Sequence, residues 1–244
     1  MPIIYLSPST QEYNPYVNTG TEEYWMNRLA DAMEPVLDAT GIRYSRNAPD
    51  MTAASSIAAS NAGHYDLHLA LHSNASAPEN PGSQRGILAF YYPGSVWGQK
   101  AARLLADGLK AIYPLPDLVR AEPSAAIGEV RRTRAPAVLL ELGFHDDPQD
   151  AAWIVSSIPA IAENLVQSLA AYFGIPFFPD SSPRPGTVET AGGALNVRAR
   201  PAADAPVVAR LYDGARVTVV NAWEGWYLIR FGEETGYAAA GFIR

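Results

Sequence analysis

Hydrophobic positions in the first 175 residues switch between two periods. Short apolar or alternating runs at residues 3–6, 42–45, 66–72, 86–92 and 137–142 read as strands. Between them, Trp25, Leu29, Met33, Val36 and Leu37 recur at helical spacing over residues 21–39, with Thr21 as a plausible N-cap and Gly41 as a stop. Residues 52–61 predict a small Ala- and Ser-rich helix. Residues 95–112 predict another, with Trp97, Ala101, Leu104, Leu105 and Leu109 on one face, and two more close the region at 150–156 and 158–173. This alternation predicts an α/β domain built on an open, mostly parallel sheet with helices on both faces. The run Ala137-Val138-Leu139-Leu140-Glu141-Leu142 is apolar at every position but one, as in a strand covered on both sides.

After residue 175 the texture changes. Residues 176–185 hold four prolines and read as a stiff, extended linker. Residues 186–244 have no run of helix length. Short strand patterns at 187–190, 195–198, 207–211, 216–222, 226–231 and 236–238 are separated by Gly, Pro and Asp signals, predicting a small all-β barrel. The expected division is therefore 1–175, linker 176–185, and 186–244.

With 48% hydrophobic residues in 244, the chain can bury a core. The net charge of −7 lies entirely in the first 185 residues, which carry 12 basic against 19 acidic side chains. An acidic larger domain without a basic run argues against nucleic acid and anionic membranes as main partners. The absence of cysteine excludes a disulfide scaffold, thiolate metal ligands and a cysteine nucleophile. Residues 1–6 lack the marks of a signal peptide, and no apolar stretch approaches the roughly 18 residues needed to span a bilayer. A soluble, monomeric protein without membrane insertion is expected.

Three groups carry candidate chemistry. Glu141 lies near the carboxyl end of its apolar strand, where open α/β sheets bind ligands. Buried there, its carboxyl group suits general acid/base work, or else it pairs with Arg131 or another arginine. His68 and His72 share one face of a strand but stand roughly 13 Å apart, too far to bind one metal together. His72, at the strand end, is the better ligand, although strand-end histidines are often merely hydrogen-bonded. Glu22 and Glu23 open the first helix, where acidic residues also favour the helix dipole. Spacing does not choose between them.

The fragments Thr21–Ala30 (TEEYWMNRLA), Asp66–Ala75 (DLHLALHSNA) and Glu129–Phe144 (EVRRTRAPAVLLELGF), in this order, resemble the zinc-dependent N-acetylmuramoyl-L-alanine amidases over residues 2–175. The resemblance implies Zn2+ as cofactor. It implies Glu23, four residues before Asn27, and His72 as metal ligands, Glu141 as the catalytic glutamate, and Arg131 as a further catalytic residue. Asn74, in the His-x-Asn-Ala motif, is a candidate substrate contact. The family's opening Asp-Pro-Gly-His is replaced by Ser7-Pro8-Ser9-Thr10, so the first zinc histidine is missing. His145 is the expected substitute ligand, ahead of Glu12 and Asp146. The pieces Leu195-Asn196-Val197-Arg198 and Gly225-Trp226-Tyr227 resemble a bacterial SH3 domain, with Trp226 and Tyr227 as candidate wall contacts. The combination implies a peptidoglycan hydrolase cutting between N-acetylmuramic acid and L-alanine at the bacterial cell wall, secreted or released by a phage. The alternatives are a non-catalytic wall-binding protein and a zinc peptidase of stem peptides.

Overall fold

The computed structural model describes residues 1–244. The larger domain runs β1 (Ile3–Pro8), α1 (Glu22–Thr40), β2 (Arg43–Arg46), α2 (Ala53–Ala62), β3 (Leu67–Asn74), β4 (Ile87–Tyr91), α3 (Val96–Lys110), β5 (Val119–Pro123), α4 (Gly128–Arg131), β6 (Ala137–Phe144), α5 (Pro148–Ser156) and α6 (Ile158–Phe173). Its six strands are ordered β2-β1-β3-β6-β4-β5. Every neighbouring pair is parallel except β4–β6, which is antiparallel. The sheet is thus open and mostly parallel, as the periodicities predict.

Helix α1 shows how the sequence builds these elements. The Thr21 side chain accepts from the Tyr24 amide at 3.2 Å and so satisfies one orphan donor of the first turn. Met26, Leu29, Ala30, Met33 and Leu37 form the fully buried stripe. Gly41 ends the helix in the left-handed conformation, φ 78°. That glycine has a second duty, because a Cβ on it would come within 2.8 Å of Leu228 in the smaller domain.

The apolar face of the sheet packs with α1, α3, α5 and α6 in one large core, which includes Leu6, Leu69, Leu71, Leu140 and Leu165. A small second cluster of Ala70, Val130, Ala137 and Leu139 lies on the other face, under α4. Helix α2 packs beside α4 on that face. No single helix is long and apolar enough to cross a membrane.

The smaller domain consists of β7 (Arg184–Thr187), β8 (Ala194–Arg198), β9 (Val207–Tyr212), β10 (Arg216–Trp223), β11 (Trp226–Phe231) and β12 (Glu234–Ala239), in one antiparallel sheet ordered β7-β10-β11-β12-β8-β9. The first of these strands starts at Arg184, inside the stretch that reads as linker, because Arg184-Pro185 pair with Thr218 and Val219 of β10. The rest of that stretch is packed as well. Phe177 lies against the large core, the Phe178 backbone exchanges hydrogen bonds with the Thr40 hydroxyl, and its ring meets Trp223 edge-on. Val220, Leu228 and Tyr237 of the smaller domain belong to the core of the larger one. Asn221 donates across the junction to the Ala39 carbonyl at 2.9 Å.

Candidate active site

Strands β3 and β6 place His72 and Glu141 side by side, in register, at the carboxyl ends of neighbouring parallel strands. Beyond them the register shifts, so that Asn74 faces Phe144. Gly143, at φ 94°, absorbs the extra residue, and a Cβ there would crowd the Asp150 carboxylate at 3.2 Å. Three further segments converge on this point: the first turn of α1 with Glu22, the loop after β1 with Gln11 and Asn14, and the single turn of α4 with Glu129.

His72 is gripped from both sides. Its Nδ1 lies 2.8 Å from Glu22 Oε1, and its Nε2 lies 3.1 Å from Glu129 Oε2. Glu22 also accepts from Asn14 Nδ2 at 2.7 Å and from Gln11 Nε2 at 3.3 Å, and that Gln11 nitrogen is 3.3 Å from His72 Nδ1. On the far side, Glu129 Oε1 accepts from the Ser7 hydroxyl at 2.7 Å and meets His68 Nε2 at 3.2 Å. His68 is closed off in turn by Ser60 Oγ at 3.0 Å and stacks on Tyr5. The two histidines that stand too far apart to share a metal are thus bridged by the two oxygens of one carboxylate.

These contacts set the charges. Burial disfavours the imidazolium form of His72, but hydrogen bonds and attraction from Glu129 and Glu22 outweigh it and raise its pKa to about 10. Burial likewise pushes both carboxylates upward, yet the histidines hold Glu129 far below the usual carboxylate range, and His72 and Asn14 hold Glu22 below it. Glu141 behaves differently. Its pKa is raised to about 7, chiefly by burial, with Glu22 and Glu129 pushing the same way and His72 opposing. Its Oε2 is buried without a hydrogen-bond partner, and Glu141 takes part in no ion pair with an arginine. Arg131 is exposed at the end of α4.

The metal that the sequence resemblance implies can be tested against this donor set. No group of three or more His, Asp or Glu side chains is arranged to hold a metal ion. One imidazole nitrogen and one carboxylate do converge, His72 Nδ1 and Glu22, but the Gln11 atom 3.3 Å from both is its amide nitrogen, a donor, while its oxygen accepts from Tyr13 and Asn14. Imidazole and carboxylate are zinc donors, whereas the nitrogen of a carboxamide is not. Two donors fall short of the three protein ligands of a catalytic zinc, so the set does not fit the ion.

Several expected site residues stand elsewhere. Glu23 is rotated away from the cluster, and its carboxylate accepts from Asn27 Nδ2 at 3.2 Å. Successive helix residues diverge by about 100°, and Glu22, not Glu23, continues the buried stripe of Met26 and Met33. His145 is buried, but its Nδ1 meets Ser73 Oγ and the Ser73 carbonyl, both at 3.0 Å, and its ring stacks on Tyr16. It therefore belongs to a separate cluster and makes no hydrogen bond to Glu22, His72 or Glu141. Asp146 accepts from the Ser76 and Gly82 amides and braces a loop, while Glu12 is exposed. The Asn74 side chain accepts from the Ala75 amide at 2.9 Å. Thr10 lines a polar cleft of about 300 Å3 together with Ser9, Thr52, His72 and Glu129. Gln11 and Glu129 escaped the sequence reading. Gln11 lies in an irregular loop, and α4 is too short to show a period.

In the smaller domain Trp226 lines a cleft of about 370 Å3 with Leu195, Arg198 and Phe242. Tyr227 lies beneath the Arg184 guanidinium at 5.0 Å. Tyr237 is completely buried, and Trp223 is exposed.

The fold has solved counterparts. Over 71% of this chain and 97% of the other, it is similar to the N-acetylmuramoyl-L-alanine amidase AmiC2 of Nostoc punctiforme, with a TM-score of 0.62 at 14% identity. The catalytic domain of CwlV, an N-acetylmuramoyl-L-alanine amidase from Bacillus (Paenibacillus) polymyxa, gives 0.62 at 14% identity over 72% of this chain and all of its own. The catalytic domain of the CD27L endolysin targeting Clostridia difficile gives 0.57 at 19% identity over 70% and 97%. At these identities the likeness speaks for the fold. No curated protein matches the chain. Residues 193–244 match the bacterial SH3 domain. Residues 10–171, two thirds of the chain, match the N-acetylmuramoyl-L-alanine amidases, and the chain belongs to that family.

Proposed function

We propose that the protein is a peptidoglycan hydrolase that cleaves the amide between the lactyl group of N-acetylmuramic acid and L-alanine, with the SH3 domain holding it to the wall. The observation that carries this reading is Glu141, a carboxyl group buried at the strand ends with an unpartnered oxygen and a pKa near 7, beside the Glu22–His72 pair. A group poised at that value takes and returns a proton at neutral pH. Glu141 accordingly removes the proton of the attacking water and delivers it to the departing L-alanine amine.

The zinc that the sequence resemblance implies would draw on two donors here, His72 and Glu22. Zinc so held would acidify a water molecule and polarise the scissile carbonyl. Glu22 rather than Glu23 is the glutamate whose carboxylate lies at His72. His145, Arg131 and Asn74 have no part in the cluster. The cleft lined by Ser9, Thr10 and Thr52 offers hydroxyls to a glycan or stem peptide. Trp226 offers an apolar wall to the ligand of the SH3 domain.

Digestion of purified peptidoglycan by the zinc-loaded chain tests the proposal. Mass spectrometry of the soluble products should show intact stem peptides with a free L-alanine amine and glycan strands without new reducing ends. Cuts within the stem peptide, or no release at all, would overturn it.

A further inference from the structure

We propose that Tyr13 is the stacking wall of a sugar subsite in the cleft beside His72, so that the chain takes hold of its substrate by the N-acetylmuramic acid ring rather than by the stem peptide. The inference deepens the proposed function, on which the identity of the sugar rests.

The cleft of about 300 Å3 runs between the loop after β1, with Ser9, Thr10 and Tyr13, and the segment leading from β2 into α2, with Asn47, Met51 and Thr52. Its volume takes one sugar residue rather than a chain. His72 also lines it, in register with Glu141 on the neighbouring strand, so a ring bound here lies beside the proposed base. Tyr13 is 73% exposed although it lines this cleft, which leaves most of its ring open to a ligand. It is nevertheless held in place. Its hydroxyl donates to Gln11 Oε1 at 3.2 Å, Asn14 Nδ2 donates to the same oxygen at 3.2 Å, and Gln11 Nε2 donates to Glu22 at 3.3 Å. An aromatic ring oriented before binding loses little freedom when a ligand lies on it.

The chemistry of the lining selects a sugar. A pyranose offers an apolar C–H face to an aromatic ring and hydroxyls around its edge, so it suits one aromatic wall among polar neighbours. Ser9, Thr10 and Thr52 are such neighbours. One acceptor in the lining is unmet: Asn47 is 4% exposed, its Nδ2 donates to the Pro8 carbonyl at 3.0 Å, and its Oδ1 has no partner. A buried carbonyl in that state is costly, and a sugar hydroxyl or N-acetyl amide supplies the missing donor. A stem peptide, with its charged groups, needs a free charge instead. The only charged groups in the lining, His72 and Glu129, are spent on each other at 3.1 Å and on Glu22, Ser7 and His68.

The test uses the isotope-labelled full chain carrying Glu141→Gln, so that no ligand is consumed. The probe is the disaccharide of N-acetylglucosamine and N-acetylmuramic acid with its lactyl carboxyl capped as the methylamide. Titrations followed through the Tyr13 ring and the backbone amides of Thr10 and Asn47 report affinity at this cleft and leave binding by the SH3 domain aside. The disaccharide should shift these signals, and a free stem peptide should leave them unmoved. Tyr13→Ala should weaken the disaccharide about tenfold, the worth of an aromatic contact, while Tyr13→Phe keeps most of the affinity. With Glu141 intact, Tyr13→Ala should raise KM for solubilised peptidoglycan by a similar factor at nearly unchanged kcat, because stacking on the ring is the same in ground and transition states. Signals that answer to the stem peptide and not to the disaccharide, or a Tyr13→Ala variant with unchanged affinity and KM, would overturn the proposal. A chain that grips the disaccharide through Tyr13 but releases nothing from the wall would support the subsite and refute the hydrolase reading.

Discussion

Replacing Glu141 by glutamine should make the protein more stable at alkaline pH while slowing catalysis. The native pKa of about 7 stands above the ordinary 4.5, so the folded state binds this proton more tightly than the unfolded chain does. Glu141 therefore contributes stability that is fully present below pH 4.5 and lost as the pH rises through about 7. At ~1.4 kcal/mol per pH unit, the gap between the two values amounts to roughly 3 kcal/mol. Glutamine keeps the shape and never ionises, so it removes this pH-dependent loss. Measured against wild type, Glu141→Gln should gain roughly 3 kcal/mol between pH 4 and pH 8.5, or about 6–12 °C in Tm for a chain of this size.

Calorimetry in chelator-containing buffer at half-unit steps of pH measures this difference directly, since the titration of every other group largely cancels between the two proteins. Hydrolysis by the variant should fall about 10²–10⁴-fold, the usual worth of a general acid/base. A Tm difference that stays flat from pH 5 to pH 8.5 would show that Glu141 is not held near neutrality by burial, and the reasoning behind its role would fail.

Further outcomes follow from the same geometry. Glu22→Gln should weaken zinc binding by at least about tenfold in chelator competition, whereas Glu23→Gln, on the outer face of α1, should alter stability by no more than about 0.5 kcal/mol and leave affinity intact. The reverse ranking would return the role to Glu23. Leu228→Ala opens the contact with Gly41 and should cost about 2–5 kcal/mol. Because Leu228 belongs to the larger domain's core, that loss should split one calorimetric transition into two; a transition that stays single would contradict the shared core. Asp150, wholly buried, receives Arg85 at 2.8 Å, the Tyr113 hydroxyl and the Gly86 and Phe144 amides, so Asp150→Ala should destabilise by about 3–5 kcal/mol in denaturant titrations.

Most of the fold was legible because its elements carry strong periods. The buried stripe of α1, the alternating run of β3 and the apolar run of β6 admit few readings. Elements without a period were missed. Strand β5 is an edge strand with mostly uncovered side chains, and α4 is a single turn. The antiparallel placing of β4 against β6 could not be read either, since the 86–92 pattern is the same in both directions. The apparent linker misleads for a related reason. Proline content signals extended backbone, but it says nothing about Phe177 and Phe178, which pin that backbone to both domains.

The site divides along the same line. His72 and Glu141 were legible because each interrupts an apolar strand, where a polar side chain is costly enough to need a reason. Spacing left Glu22 and Glu23 open because the two neighbouring carboxylates differ only in helical phase, and the resemblance pointed to Glu23, whereas the fold brings Glu22 to His72. Gln11 and Glu129 come from segments with no phase at all, and only the folded chain brings them to the same imidazole. Thr10, at the position of the lost histidine, suggested a single missing ligand to be replaced by a single histidine elsewhere. The structure instead surrounds His72 with Glu22, Gln11 and Asn14 on one side and Glu129, Ser7 and His68 on the other. His145 was expected at the site from its place just beyond β6, but direction along a strand end carries no signal in sequence, and the fold turns its ring to Ser73 and Tyr16.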